Sequence, residues 1–293
     1  MCNYNMADTI ERSLISILEQ LDDTYEVILL DDGSTDNSLE IVKKLEKKYS
    51  NLRSIYKKRD PNRKLGKTRN LSIKEARGEY VILHIDSDDV WEPYIKEFVI
   101  VFHRIEKVIG RDILLSGQQI NIGKKSFLIS HGPYRNIQKV DDRDMWRRLA
   151  AIDSYIPLDH RVFRTRLKRP QKIKYFKAIH DLWHVMIDDI RLSQGLDPYK
   201  YLWNCLTCLF IKYSNNFSFK IRFFRTFFAI PAFFLGRIQK PLPPPENMKT
   251  HEEFINYREK TKGTYEQIMR RHGAEPDFSG LSNHAINIFK SIE

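Results

Sequence analysis

The chain has 293 residues, 42% of them hydrophobic, and a formal net charge of +11. That length and apolar share suffice for one large domain or two and exclude a disordered polyelectrolyte. Three cysteines, Cys2, Cys205 and Cys208, are too few for a disulfide framework and point to a reducing compartment.

Met1 leads into polar CNYN rather than an apolar run, so no secretory leader is read. The charge is unevenly placed. Residues 1–160 hold 26 basic and 26 acidic side chains, whereas 161–240 hold 16 and 4. A basic, aromatic stretch of that kind suits nucleic acid, an anionic lipid surface or a polyanionic substrate.

Along residues 7–116, helical and strand patterns alternate. Asp8-Thr9-Ile10-Glu11 reads as a capping box, with Ile10, Leu14, Ile17, Leu18 and Leu21 as the apolar stripe of a helix. Residues 26–30 (EVILL) read as a buried strand ending in DDGSTDNS, and 38–49 as a helix. A strand at 52–56, a helix at 68–76 closed by Gly78, and a strand at 80–85 follow. This alternation predicts an α/β layered domain with a mainly parallel central sheet, in which ligands bind beyond the carboxyl ends of the strands. Asp31-Asp32 and Asp86 to Asp89 both fall at such ends.

Further on, the pattern predicts a hairpin over 117–129, a helix over 141–151, a basic segment RVFRTRLKRPQKIKYFK and a helix over 180–195. NFSFKIRFFRTFFAIPAFFLG then precedes the breaker PLPPPEN, and 248–293 reads as a polar helical appendage.

The stretch LHIDSDDVW crowds Asp86, Asp88 and Asp89 into four positions. Neighbouring carboxylates raise each other's pKa unless a cation lies between them. A solvated turn is one reading. A hard-cation site is the other, because Mg²⁺ or Mn²⁺ takes one or two carboxylates and completes its shell with water and substrate phosphates. Cys205 and Cys208 lie in apolar YLWNCLTCLF and read as packed thiols. Neither a P-loop nor a dinucleotide fingerprint occurs.

Tyr4-Asn5, VILLDDGSTDNS at 27–38, GKTRN at 66–70 and GEYVILHIDSDD at 78–89 resemble, in order and spacing, the signatures of glycosyltransferase family 2. The resemblance covers the first 95 residues well and the next 100 loosely. It implies a GT-A fold and metal-dependent, inverting transfer of sugar from a nucleotide-diphosphate donor. By similarity, Asp32 hydrogen-bonds the nucleobase, Tyr4 and Asn5 line its pocket, and Arg69 sits near the base or diphosphate. Asp86 faces the ribose or metal, Asp88 is the direct ligand and Asp89 the alternative one. The family's general base is commonly the Asp of a Glu-Asp pair opening a helix. Asp181 matches that place, with His180 where Glu is usual.

On that helix, Asp181, His184, Asp188 and Arg191 share one face, which also suits a separate metal site or a structural network. Asp188-Asp189 is a second place for the base. The family also begins with an apolar strand before its Tyr-Asn pair, where this chain has Met1, Cys2 and Asn3, so a start assigned late is expected.

These readings give a catalytic domain at 1–200 with a shortened first strand, and a helical extension at 201–293. The aromatic run at 216–240 suits a helix lying in a membrane interface, or one buried against the domain. The expected partners are a nucleotide-diphospho-sugar donor, a glycan or lipid-linked acceptor and an anionic membrane surface. Nucleic acid is disfavoured for want of a recognised module. The expected location is cytoplasmic, peripheral on the inner face of the plasma membrane. A nucleotidyltransferase of similar fold and a non-catalytic adaptor are the alternatives.

Overall fold

The computed structural model describes residues 1–137, 140–167, 174–193, 198–210, 218–248 and 250–290. Its first half is a layered α/β arrangement. Strands β1 (Cys2–Asn3), β2 (Val27–Asp31) and β3 (Leu52–Tyr56) form a parallel sheet in that order. Helices α1 (Ile10–Leu18), α2 (Ser38–Lys48) and α3 (Leu65–Glu75) connect its strands and the next one.

That next strand, β4 (Tyr80–Leu83), opens a mixed sheet of order β4-β7-β6-β8, with β6 at Leu114–Ser116, β7 at Asn121–Lys124 and β8 at Tyr155–Pro157. A parallel bridge between Cys2 and Asp86 joins the two sheets. Strand β5 (Asp89–Trp91) pairs antiparallel with β9 (Arg164–Arg166).

All five residues of β2 are buried, as its unbroken apolar run requires of a strand covered on both faces. Ile10, Leu14, Ile17 and Leu18 of α1 are at most 3% exposed, each contributing about 1.5–3 kcal/mol of burial. Helix α4 (Ile95–Ile109) buries Phe98, Val101, Phe102 and Ile105 in the same core. Between β2 and β4, a cavity of about 440 Å³ is lined by Met1, Cys2, Ile17, Ile28, Tyr80 and Ile82, among others. The Met1 amino group donates to the Ile28 carbonyl at 2.8 Å.

Several local expectations are corrected. No capping box starts α1: Thr9 makes no side-chain cap, and its hydroxyl instead reaches the Ser87 carbonyl at 2.9 Å. Helix α3 begins three residues early, at Leu65, and ends at an extended Ala76 rather than at Gly78. The hairpin expected over 117–129 is formed by β6 and β7 and ends at Lys124, and the residues that follow form helix α5 (Lys125–Ser130). Strand β4 stops at Leu83 because His84 takes a left-handed backbone conformation (φ 64°).

The tail is no appendage. Helices α10 (His251–Thr261), α11 (Tyr265–Arg271) and α12 (Asn283–Lys290) insert Phe254, Tyr265, Ile268, Ile288 and Phe289 into the cores of the α/β unit. Helices α7 (Lys174–Ser193), α8 (Pro198–Thr207) and α9 (Phe219–Ile238) share a separate apolar cluster around Met186, Ile190, Cys205 and Ala232. The expected boundary at residue 200 falls inside α8. Helix α6 (Asp141–Ala150) lies close to its expected span.

Candidate active site

Two acidic strand ends lie on either side of β1, Asp31 in register with Asn3 and Asp86 bridged to Cys2. At the end of β2, Asp31 is wholly buried and accepts from Asn3 Nδ2 (2.7 Å), the Ser34 hydroxyl (2.6 Å) and the backbone N–H groups of Gly33 and Ser34 (3.0 and 2.8 Å). Those bonds make it the organiser of the turn.

Gly33 adopts φ +81°, and a Cβ there would meet the Arg59 backbone nitrogen at 2.6 Å. The close approach brings Arg59 and Arg63 onto Asp32. Arg59 pairs with Asp32 Oδ2, and Arg63 Nε donates to its Oδ1 at 2.8 Å. The Arg59 guanidinium also lies over the Tyr4 ring, 4.3 Å from its centroid. Asn5, with φ 53°, accepts from the Thr35 N–H at 2.8 Å. Asp32 thus meets two arginines from the loop RDPNR, one of which also covers Tyr4, while Asn5 bonds the turn that follows β2.

The second acidic end follows His84. Asp86, Asp88 and Asp89 each offer a carboxylate oxygen, all within 4.8 Å of one another. They differ in what they touch. Asp89 is 1% exposed and accepts from Arg164 at 2.7 Å and Arg166 Nε at 3.0 Å. Arg166 also donates to Asp86 at 2.7 Å and lies 3.7 Å from Asp88. Burial raises the Asp88 carboxyl above its usual range, and the charges on Asp86 and Asp89 add to that against the pull of Arg166.

The cluster fits a hard divalent cation: it offers only oxygen donors, and a guanidinium already rests among them as a stand-in positive charge. Strand pairing puts both arginines here, since Asp89 is in register with Arg166 and Trp91 with Arg164.

Behind this turn lies a buried layer. His84 bonds to Asn121 and, at 3.0 Å, to the Tyr134 hydroxyl. Burial, with Arg69 nearby, holds its pKa well below the ordinary value, so it stays neutral. Arg69 donates to Asp141 at 2.8 Å and lies 5.3 Å from the Tyr134 ring centroid. Burial pushes the Asp141 carboxyl up to about 6 despite that pairing.

Helix α7 starts at Lys174 rather than at 180, so Asp181 lies within it and does not open it as expected; the side chain is one-third exposed, with its carboxylate 3.9 Å from His180. His180 and His184 face each other at 3.2 Å. Burial lowers the His184 pKa, with His180 and Lys64 adding to the shift. Asp188 is buried and pairs with Arg191 at 3.1 Å. Asp189 accepts from the Tyr201 hydroxyl at 3.3 Å, and burial raises its pKa. Among the described residues, the acidic turn is the one cluster of His, Cys, Asp or Glu with metal-binding spacing; the α7 face forms none. Cys205 is buried and accepts from Arg225 Nε at 3.4 Å.

Arg59, Arg63, Arg164, Arg166, His84 and Asp141 were not singled out by sequence reasoning. One signal was available: R-T-R on a strand sets both arginines on one face.

The family model for glycosyl transferase family 2 matches residues 1–165. The cholesterol galactosyltransferase of Borreliella burgdorferi is 35% identical over 133 residues, 44% of this chain and 35% of that protein. The poly(ribitol-phosphate) beta-glucosyltransferase of Bacillus spizizenii is 32% identical over 187 residues, 61% of this chain and 27% of that protein. The chain thus spans only about a third of the length of these curated relatives. S. aureus TarS 1–349, solved in complex with UDP-GlcNAc, superposes with a TM-score of 0.51 at 19% identity, covering 64% of this chain and 63% of that one, which shows a shared fold. With more than half its length matched by the family model, the chain belongs to glycosyl transferase family 2.

Proposed function

We propose that this protein is a metal-dependent, inverting glycosyltransferase that moves a sugar from a nucleotide-diphosphate donor to a hydroxyl of a glycan or lipid-linked acceptor. The carrying observation is the turn in which Asp86, Asp88 and Asp89 converge around the Arg166 guanidinium. Asp88 and Asp86 are the residues that would hold Mg²⁺ or Mn²⁺, because the buried Asp89 is already committed to two arginines. The bound cation would neutralise the diphosphate leaving group.

In this reading, Asp32 accepts from the nucleobase once Arg59 or Arg63 gives way, with Tyr4 and Asn5 beside it. The displaced arginines stay close enough to meet phosphate charge, for which the guanidinium fork is well shaped. Arg69, backed by Asp141, lends positive charge to the same floor.

Asp181 then takes the proton of the acceptor hydroxyl. The acceptor oxygen forms its bond to the anomeric carbon from the face opposite the diphosphate. The bond to the leaving oxygen breaks, and the configuration inverts. Peripheral attachment to an anionic membrane would bring this site to a lipid-linked acceptor.

The test is thermal stability with UDP, GDP, dTDP and CMP, each with and without Mn²⁺, for wild type and Asp88→Ala. A nucleotide at about 100 times its Kd raises stability by roughly 2.7 kcal/mol. A Mn²⁺-dependent shift with one nucleotide, absent in Asp88→Ala, supports the reading. Failure of every nucleotide to stabilise folded wild type would refute it.

A further inference from the structure

Helix α9 is built inside out for a helix bathed in water. Its packed face consists mainly of small residues: Ala229, Ala232 and Gly236 are buried, with Phe233 beside them. A Cβ at Gly236 would meet Ile190 of α7 at 2.7 Å, so glycine permits this close approach. Phe228 also packs inward, but most of the other large side chains point the other way. Phe219, Phe223, Phe227, Ile230, Phe234 and Ile238 recur at helical spacing and are between 48% and 81% exposed. They form one stripe along 20 residues, about 30 Å of helix. Trp203 of α8 and Phe210 just beyond it are also exposed, at 62% and 84%.

The charge is equally one-sided. Residues 198–245 contain seven Lys or Arg and no Asp or Glu. Lys220 and Arg222 stand near the start of the stripe, Arg237 and Lys240 at its end. Water-soluble monomers rarely expose so continuous an apolar surface. A second copy seated on it by two-fold symmetry would set these cations against one another. Among the described residues, no helix is long and apolar enough to cross a membrane.

We infer that the outer face of α9, with the adjoining end of α8, docks onto an anionic lipid bilayer. The phenylalanines enter the headgroup–acyl boundary, and the flanking cations meet lipid phosphates. The helix lies in the plane of the membrane, held from behind by α7. This inference rests on the α7–α9 unit and is independent of the transfer chemistry proposed above.

Flotation of the full chain with phosphatidylcholine vesicles, with and without phosphatidylglycerol, tests it. Wild type is expected to float with the anionic vesicles, less so with neutral ones or at high salt. Phe227→Ser/Phe234→Ser should weaken recovery by more than about tenfold, since two exposed rings no longer insert. Because both rings already face solvent, the variant's melting temperature should match wild type. Lys220→Gln/Lys240→Gln should lose the preference for anionic lipid while keeping the fold. The inference is overturned if wild type stays in the lipid-free fraction with both vesicle types. It is also overturned if the double Ser variant floats equally well, or abolishes a dimer rather than lipid binding.

Discussion

The Arg166 guanidinium donates to the Asp86 carboxylate at 2.7 Å, inside the turn whose three carboxylates suit a divalent cation. The protein thus carries its own counter-ion at the place where a metal would sit. A tethered charge there offsets repulsion among Asp86, Asp88 and Asp89, and a metal must compete with it.

Replacing that charge should therefore favour the metal. Arg166→Gln is expected to tighten Mn²⁺ binding in the absence of nucleotide by about tenfold, worth about 1.4 kcal/mol. The metal-free protein should melt lower. Titration calorimetry with Mn²⁺ checks this, and unchanged or weaker binding would show that Arg166 does not compete.

The neighbouring carboxylates should separate by role. Asp89→Asn leaves the Arg164 guanidinium, itself largely buried, with a weaker partner, and should cost about 3 kcal/mol of stability. Asp88→Asn relieves like charge and should leave stability at or slightly above wild type while abolishing Mn²⁺-dependent nucleotide binding. Urea unfolding of both variants decides, and equal losses would contradict the division.

Asp181→Asn should lower transfer rate by about 100-fold or more with the nucleotide-induced thermal shift intact, as expected of a base that touches only the acceptor. An unaffected rate would move the role to Asp188 or Asp189, the other acidic pair on α7.

Acid sensitivity should come in part from His160. Its Nε2 accepts from the Gln118 N–H at 2.8 Å, and it is enclosed by Phe98, Phe163 and Phe289. Burial pushes its pKa down from 6.5 to about 4, with Asp159 and a bond to the Arg161 carbonyl pulling the other way. Between those values the unfolded chain binds the extra proton. The contribution is therefore fully present above about 6.5 and declines as pH falls toward about 4, by on the order of 3 kcal/mol. Unfolding free energies across that range should be steeper for wild type than for His160→Gln. Parallel curves would exclude His160.

Gly33→Ala should cost about 2 kcal/mol, since φ +81° is strained for alanine and its Cβ collides with Arg59 backbone. Nucleotide affinity should fall with it as the Arg59 loop moves off Asp32. Stability and nucleotide binding measured on the same preparation test both effects.

Much of the α/β unit was readable from local pattern. The buried run of β2, the stripe of α1 and the acidic residues after each strand follow from periodicity and from chemistry that works over a few positions, which one sequence displays. The four ordered motifs also carried the family. The rest depended on long-range contact. Nothing near Asp89 in sequence announces Arg164 and Arg166, 75 and 77 residues away, which strand pairing brings onto it. Residues 248–293 read as polar because their inward-facing apolar side chains, such as Tyr265 and Phe289, are spread among many charged ones, and which core they enter is decided by folding. The aromatic run around α9 could equally have been buried. Its tertiary packing settled that, because Ala229, Ala232 and Gly236 let α7 approach closely and leave Phe219, Phe223, Phe227 and Phe234 on the opposite face, which no helical period specifies when both faces are apolar.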